Sequence, residues 1–365
     1  MTHSLLYDVA LSFVPGIGDK TARLLISHFG SAEEVFRSHA KELQAVAGAS
    51  AMRTKGLKDP EVLTRAEEEL RFAEKHKVQV LTQSSPSYPQ RLLQCADAPY
   101  VLYYRGSSDL NAARTVAVIG TRKPTDYGTS MCEELIRGLK AEGVLVVSGL
   151  AHGIDAIAHR ESVRCGLHTV GVLAHGLHTL YPPAHQSLAK EMMAAGGVLT
   201  EFCSGTKPDR GNFPVRNRVV AGMSDVTIVV ESDIKGGAMI TAYLAHGYNR
   251  EVAAYPGRVG DTRSAGCNQL IRRNVAALIT SADDVLEVMN WKKSPKRHAV
   301  QPSLALAFTP DEAAIVRSLE GKERVHADEL LLSTGLGSSG LASALLQLEL
   351  QGIVKSLAGK WYRIG

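Results

Sequence analysis

Val116-Ala117-Val118-Ile119-Gly120-Thr121-Arg122-Lys123 and, one segment later, Val144-Leu145-Val146-Val147-Ser148-Gly149-Leu150-Ala151-His152-Gly153-Ile154-Asp155 are the stretches on which the fold turns. Each is a short β-branched run with no polar alternation, broken by glycine and followed by a helical pattern. A strand that is apolar on both faces is covered on both faces, which is the signature of a parallel sheet. Working outward, further runs of this kind occur at Thr169–Leu173, Val198–Thr200, Val226–Val230 and Val252–Ala254. Helical segments are expected near 128–141, 153–165, 185–195, 216–222, 237–248 and 266–274. Alternating strands and helices with right-handed crossovers give an α/β fold, a Rossmann-like doubly wound parallel sheet. Ligands of such sheets sit beyond the C-terminal ends of the strands.

The flanks read differently. Residues 1–75 are short helices separated by glycines, with apolar residues such as Leu5, Val9, Leu25, Val35 and Phe36 at helical spacing. Val14-Pro15-Gly16-Ile17-Gly18 resembles a helix-hairpin-helix turn, whose amides approach a nucleic-acid backbone without reading bases; a turn with no such contact fits the pattern equally. The stretch 76–112, with Pro86, Pro89 and Pro99, reads as irregular around the apolar Tyr100–Tyr104. Residues 290–303 are basic, polar and proline-containing, as a linker is. Beyond them three helices and a hairpin describe a winged helix, with Thr309 and Glu312 spaced as a capping box. The expected domains are therefore 1–75 helical (SAM or helix-hairpin-helix-like), 76–289 an extended Rossmann-like domain, 290–303 a linker and 304–365 a winged helix.

Composition narrows the function. The chain of 365 residues is 45% hydrophobic and 21% charged with a formal charge of +4, so the placement of its charges matters more than their sum. Five scattered cysteines with no C-x-x-C pair indicate reduced thiols in the cytoplasm rather than a disulfide framework or a zinc ribbon. Neither a signal peptide nor an apolar run long enough for a bilayer is expected.

Four glycine-rich turns carry the candidate chemistry. Gly120-Thr121-Arg122-Lys123 lies at the ligand edge, where amides and two cations suit a phosphate, though a tight turn with solvated charges is the alternative. Ser148-Gly149 opens a helix and can turn its amides to the same ligand. There His152, Asp155 and His159 share a helical face that could hold a metal, but capping and loop hydrogen bonds account better for them, and no metal is assigned. Phe213-Pro214-Val215-Arg216-Asn217-Arg218 starts a helix; Phe213 either stacks on a base or anchors the loop, and Arg216 and Arg218 cannot both face one pocket. Gly236-Gly237 precedes a helix bearing Thr241, again with free amides at its start. One such turn means little, but four after strands of one sheet converge on one edge. The Gly120 turn departs from G-x-G-x-x-G and the chain has no Walker sequence, so no nucleotide cofactor is expected.

Together these residues resemble the DNA-processing protein A family (DprA, also called Smf). The resemblance runs in order through Val118–Arg122, Tyr127-Gly128, Ser148–Ala151, Gly153–Asp155, Ala158-His159, Tyr181-Pro182, Phe213-Pro214, Arg216–Arg218, Ile240–Ala242, Tyr255–Gly257 and Gly266–Ile271. It departs at His185, at Gly236–Met239 and at Asn274-Val275, where the family usually has Asn, Ser-Gly-Ser-Leu and Gly-Ala. It implies a protein that is not an enzyme, binds single-stranded DNA in the pocket of the Rossmann-like domain, dimerises through that domain and loads RecA onto the strand during natural transformation. By position it implies Arg122, Asn217 and Arg218 as pocket residues, with Gly120, Thr121, Ser148, Gly149, Gly237 and Thr241 in close contact. The alternative from another class is a Rossmann-like hydrolase of nucleoside monophosphates, for which Glu201 and Glu231 at strand ends are the available carboxylates.

Overall fold

The computed structural model describes residues 3–47, 56–291 and 308–364, apart from 323 and 358. The chain divides into two compact units, Met1–Lys292 and Lys293–Gly365.

Among the described residues the first unit begins with α1 (His3–Phe13), α2 (Asp19–Phe29), α3 (Ala32–Arg37), α4 (Ala40–Ala47) and α5 (Pro60–Lys75). Then come β1 (Gln79–Thr82), α6 (Gln90–Leu93), β2 (Val101–Gly106), β3 (Thr115–Ile119), α7 (Asp126–Leu139), β4 (Leu145–Ser148), α8 (Ile154–Cys165), β5 (Thr169–Val172), α9 (Gln186–Ala195) and β6 (Gly197–Thr200). The unit continues with α10 (Asn212–Met223), β7 (Val226–Val229), α11 (Gly237–Gly247), β8 (Glu251–Ala254), α12 (Ala265–Arg272), β9 (Ala277–Leu278) and α13 (Ala282–Val288). All strands enter one nine-stranded sheet of order β1-β2-β6-β5-β4-β3-β7-β8-β9. Pairing from β6 to β9 is parallel, which is the doubly wound core that the apolar runs announce. β4 lies on one side of β3 and β7 on the other, so the C-terminal ends of β3 and β7 form the switch point at which such sheets open a crevice.

The sheet extends further than its parallel part. β1 and β2, in the stretch read as irregular, pair antiparallel and join the sheet through β2 and β6. Val101 and Tyr103 of β2 pack with the N-terminal helices, whereas Leu102 and Tyr104 join the main core. A strand wedged between two cores has no polar face, and so Val101–Tyr104 shows none of the alternation by which a half-buried strand is recognised. Full burial of each such side chain contributes on the order of 2–3 kcal/mol. The helices of 1–75 consequently share a core with the sheet within one compact unit.

Helix starts are set locally. Thr125 caps α7 by accepting from the Gly128 amide, and Ser281 and Asp284 form a reciprocal capping box at α13. In the second unit α14 (Pro310–Leu319), β10 (Val325–His326), α15 (Ala327–Thr334), α16 (Ser338–Leu350), β11 (Val354–Leu357) and β12 (Trp361–Ile364) form a winged helix with a sheet of order β10-β12-β11. The Thr309–Glu312 capping box is formed as its spacing indicates. The linker read at 290–303 lies outside the described residues except for Asn290 and Trp291.

Candidate nucleic-acid interface

At the switch point the structure opens a cavity of about 420 Å³. Its walls come from the turns after β3, β4 and β7 and from the first turns of α10 and α11. Of the residues singled out in the sequence, Gly120, Thr121, Arg122, Gly149, Phe213, Arg216, Asn217, Gly236, Gly237 and Thr241 line it together.

Arg122 and Phe213 make the mouth. The exposed Arg122 guanidinium lies 5.3 Å from the centre of the half-buried Phe213 ring. Among the described residues no carboxylate pairs with Arg122, so its charge is available to an anion. Tyr181 flanks Phe213 at 6.4 Å between ring centres.

Arg216 makes the floor. It is 5% exposed and donates to the carbonyls of Gly149 and Val172, while its Nε donates to Asn217 Oδ1 at 3.2 Å. Burial pulls its pKa down to about 10, opposed by Asp155, so it is still a cation at neutral pH. Gly149 has to be glycine here, because a Cβ would fall on the guanidinium of Arg216.

Three expected placements are corrected. Arg218 is not at the cavity: it is mostly buried and pairs with Asp19 at the start of α2 and with Glu201 after β6. Two residues apart on a helix are about 200° apart, so with Arg216 at the floor Arg218 has to point elsewhere. Ser148 is fully buried and donates its hydroxyl to the Val118 carbonyl at 2.6 Å, which ties β4 to β3 rather than meeting a ligand. Lys123 lies outside the cavity; its amide donates to Thr121 Oγ1 at 3.2 Å and its carbonyl accepts from Arg263. The amides of the β4 turn are also committed, since those of Gly149 and Ala151 donate to Asp155 Oδ2 at 3.2 and 3.3 Å. The N-terminus of α11 at Gly237 and Ala238 and the two arginines are the positive groups at the cavity that can face an anion.

Asp155, Ser232 and Asp233 line the cavity without having been named as site residues. Asp155 stood in the quoted motif, and its carboxylate, whose pKa burial raises, hooks back on amides four and six positions upstream. Ser232 and Asp233 precede the Gly236-Gly237 pair, and nothing in their spacing distinguishes them.

The acidic residues considered for catalysis are engaged elsewhere. Glu231 accepts from the Thr125 amide and hydroxyl at 2.9 and 2.7 Å, and Glu201 accepts from Arg218. His159 is fully buried, contacts Thr169 Oγ1 at 2.6 Å, and is held far below the usual imidazole range, at about 3, by burial. Among the described residues no three His, Cys, Asp or Glu side chains gather as a metal would require. Among the same residues no single helix is long and apolar enough to cross a membrane.

Comparison with known proteins gives this cavity a context. Residues 79–290 match the family described as DNA recombination-mediator protein A, and residues 296–360 match the DprA winged helix domain. Protein Smf of Synechocystis is 31% identical over 98% of both chains. The X-ray structure of DNA processing protein A from Streptococcus pneumoniae superimposes with a TM-score of 0.64 at 30% identity, covering 79% of this chain and 98% of that one. A Helicobacter pylori DNA processing protein A structure, described for its single-stranded DNA binding mode, superimposes with a TM-score of 0.54 at 30% identity, over 59% of this chain and 96% of that one. The first match alone spans more than half of the chain, which belongs to the DNA recombination-mediator protein A family, the DprA/Smf group of DNA-processing proteins.

Proposed function

We propose that this protein binds single-stranded DNA in the cavity between β3 and β7 and hands the strand to RecA during transformation and recombination, working as a homodimer rather than as a catalyst. The observation that carries the reading is the pairing of Arg122 with Phe213 over the buried Arg216. It offers cations for phosphates and one ring for a base, with no array of side chains suited to reading base edges. Affinity should then be salt-dependent and nearly indifferent to sequence. The Helicobacter relative, whose description names single-stranded DNA binding, supports the choice of ligand.

The test is a fluorescence-anisotropy titration with oligo-dT and with the matching duplex at two salt concentrations. Salt-sensitive binding that favours the single strand supports the proposal, and stimulation of RecA filament formation on the same strand tests the hand-over. Absence of binding to either would sink it, and nucleoside monophosphates would then be the ligands to try.

A further inference from the structure

The second unit presents an aromatic and basic surface that lies on its sheet, not on its third helix. α16, the helix that a winged helix ordinarily lays in a major groove, has no Lys, Arg or His in Ser338–Leu350 and carries Glu349. Its exposed large side chains are Leu346 and Leu350. Such a helix brings no cation to a phosphate.

The outer face of the hairpin is the opposite. In the β11–β12 register Lys355 stands across from Arg363, and Leu357 across from Trp361. His326 of β10 stands across from Trp361 on the other side. Because side chains alternate along a strand, Lys355, Leu357, Trp361, Arg363 and His326 share one face. Arg324 joins them with its guanidinium 4.9 Å from the Trp361 ring centre. Among the described residues no carboxylate pairs with Arg324, Lys355 or Arg363. Glu349 bonds to Ser356, whose place in the register puts it on the other face, and Asp328 contacts His326 at 3.4 Å. Two like charges directly opposite on a hairpin disfavour the pairing. An anion laid between them removes that repulsion, and an adjacent indole gives a base a surface to stack on.

We propose that this face is a second contact for single-stranded nucleic acid, separate from the cavity of the first unit. Trp361 stacks on a base, and Lys355 and Arg363 hold the flanking phosphates. Arg324, now over the indole, turns to a phosphate as the base arrives.

The chain has two tryptophans, Trp291 and Trp361, so full-length Trp291→Phe reports Trp361 alone. Oligo-dT should quench its emission saturably, and the matched duplex should quench it much less. Quenching should persist in the added Arg122→Ala background, which separates this face from the cavity. Lys355→Gln with Arg363→Gln should abolish it and lower the salt slope of strand binding by about 1.4, two phosphate contacts at roughly 0.7 each. Circular dichroism confirms that the double variant folds. Unchanged Trp361 emission at strand concentrations that saturate anisotropy would overturn the proposal. So would equal quenching by duplex, or quenching that survives the double substitution.

Discussion

The Arg218 guanidinium lies 3.0 Å from Asp19 Oδ2, joining α10 to the start of α2 across 199 positions of sequence. The same nitrogen serves Glu201. An arginine that motif position places at the ligand is thereby a clamp between the helical N-terminal segment and the sheet. Arg218→Gln should destabilise the fold by about 3 kcal/mol, because it leaves Glu201 buried without its counter-charge. Urea unfolding at pH 8 checks the size, and the loss should shrink at pH 5.5, where Glu201 can take up a proton. Strand affinity of the folded variant should change little compared with Arg122→Ala.

The pH profile should show Glu201 directly. Burial pushes its carboxyl up to about 7 against the pull of Arg218, with Asp19 and Asp97 adding to the rise. Between about 4.5 and 7 the folded chain holds a proton that the unfolded chain releases, so this contribution to stability is lost as pH rises through that window. The stability difference between the parent chain and Glu201→Gln should therefore fall by up to about 3 kcal/mol from pH 4.5 to pH 7. A flat difference would mean that Glu201 stays ionised in the fold.

His159 should act with the opposite sign. Its imidazole refuses a proton down to about pH 3, while the unfolded chain accepts one near 6.5. Stability from this residue is lost as pH falls from about 6.5 towards 3. A His159→Gln chain should lack that part of the acid limb in a series of urea titrations.

Arg122→Ala should weaken oligo-dT binding and reduce the magnitude of the salt slope by about 0.7, as expected for one phosphate contact on a single strand. Unchanged affinity at both salt concentrations would remove Arg122 from the interface.

Gly153→Ala should damage the same site indirectly. Gly153 has φ +79°, and a Cβ there would run into the Thr121 carbonyl, which accepts from the Ile154 amide at 3.2 Å. A cost of about 1–3 kcal/mol is expected from the backbone alone. Thermal unfolding gives that cost, and anisotropy gives the accompanying loss of strand binding as the Thr121–Arg122 turn shifts.

The parts of this protein that could be read in advance are those whose cause is local. The runs Val116–Ile119 and Val226–Val230 are buried on both faces wherever they sit, and the glycines after them demand turns. The Thr309–Glu312 pair closes on itself within one helical turn. What escaped depends on distant partners. Val101–Tyr104 became a strand because β6 pairs with it while the N-terminal helices and the main core cover its two faces. Arg218 left the cavity because Asp19 and Glu201 wait on the other side of α10. The Gly149 and Ala151 amides were taken by Asp155, whose reach back across the turn depends on how α8 meets β4.

Arg216 gives the cavity a property that its lining residues alone do not convey. Its charge is held by carbonyls at the ends of two neighbouring strands, and was stripped of water when the chain folded. On the proposed reading, an arriving phosphate would meet a preorganised field at the floor, with no flexible side chain to immobilise there. Arg122, exposed at the rim, would still have to settle around each strand. On that reading, one arginine would set the depth of the well and the other how quickly a strand finds it.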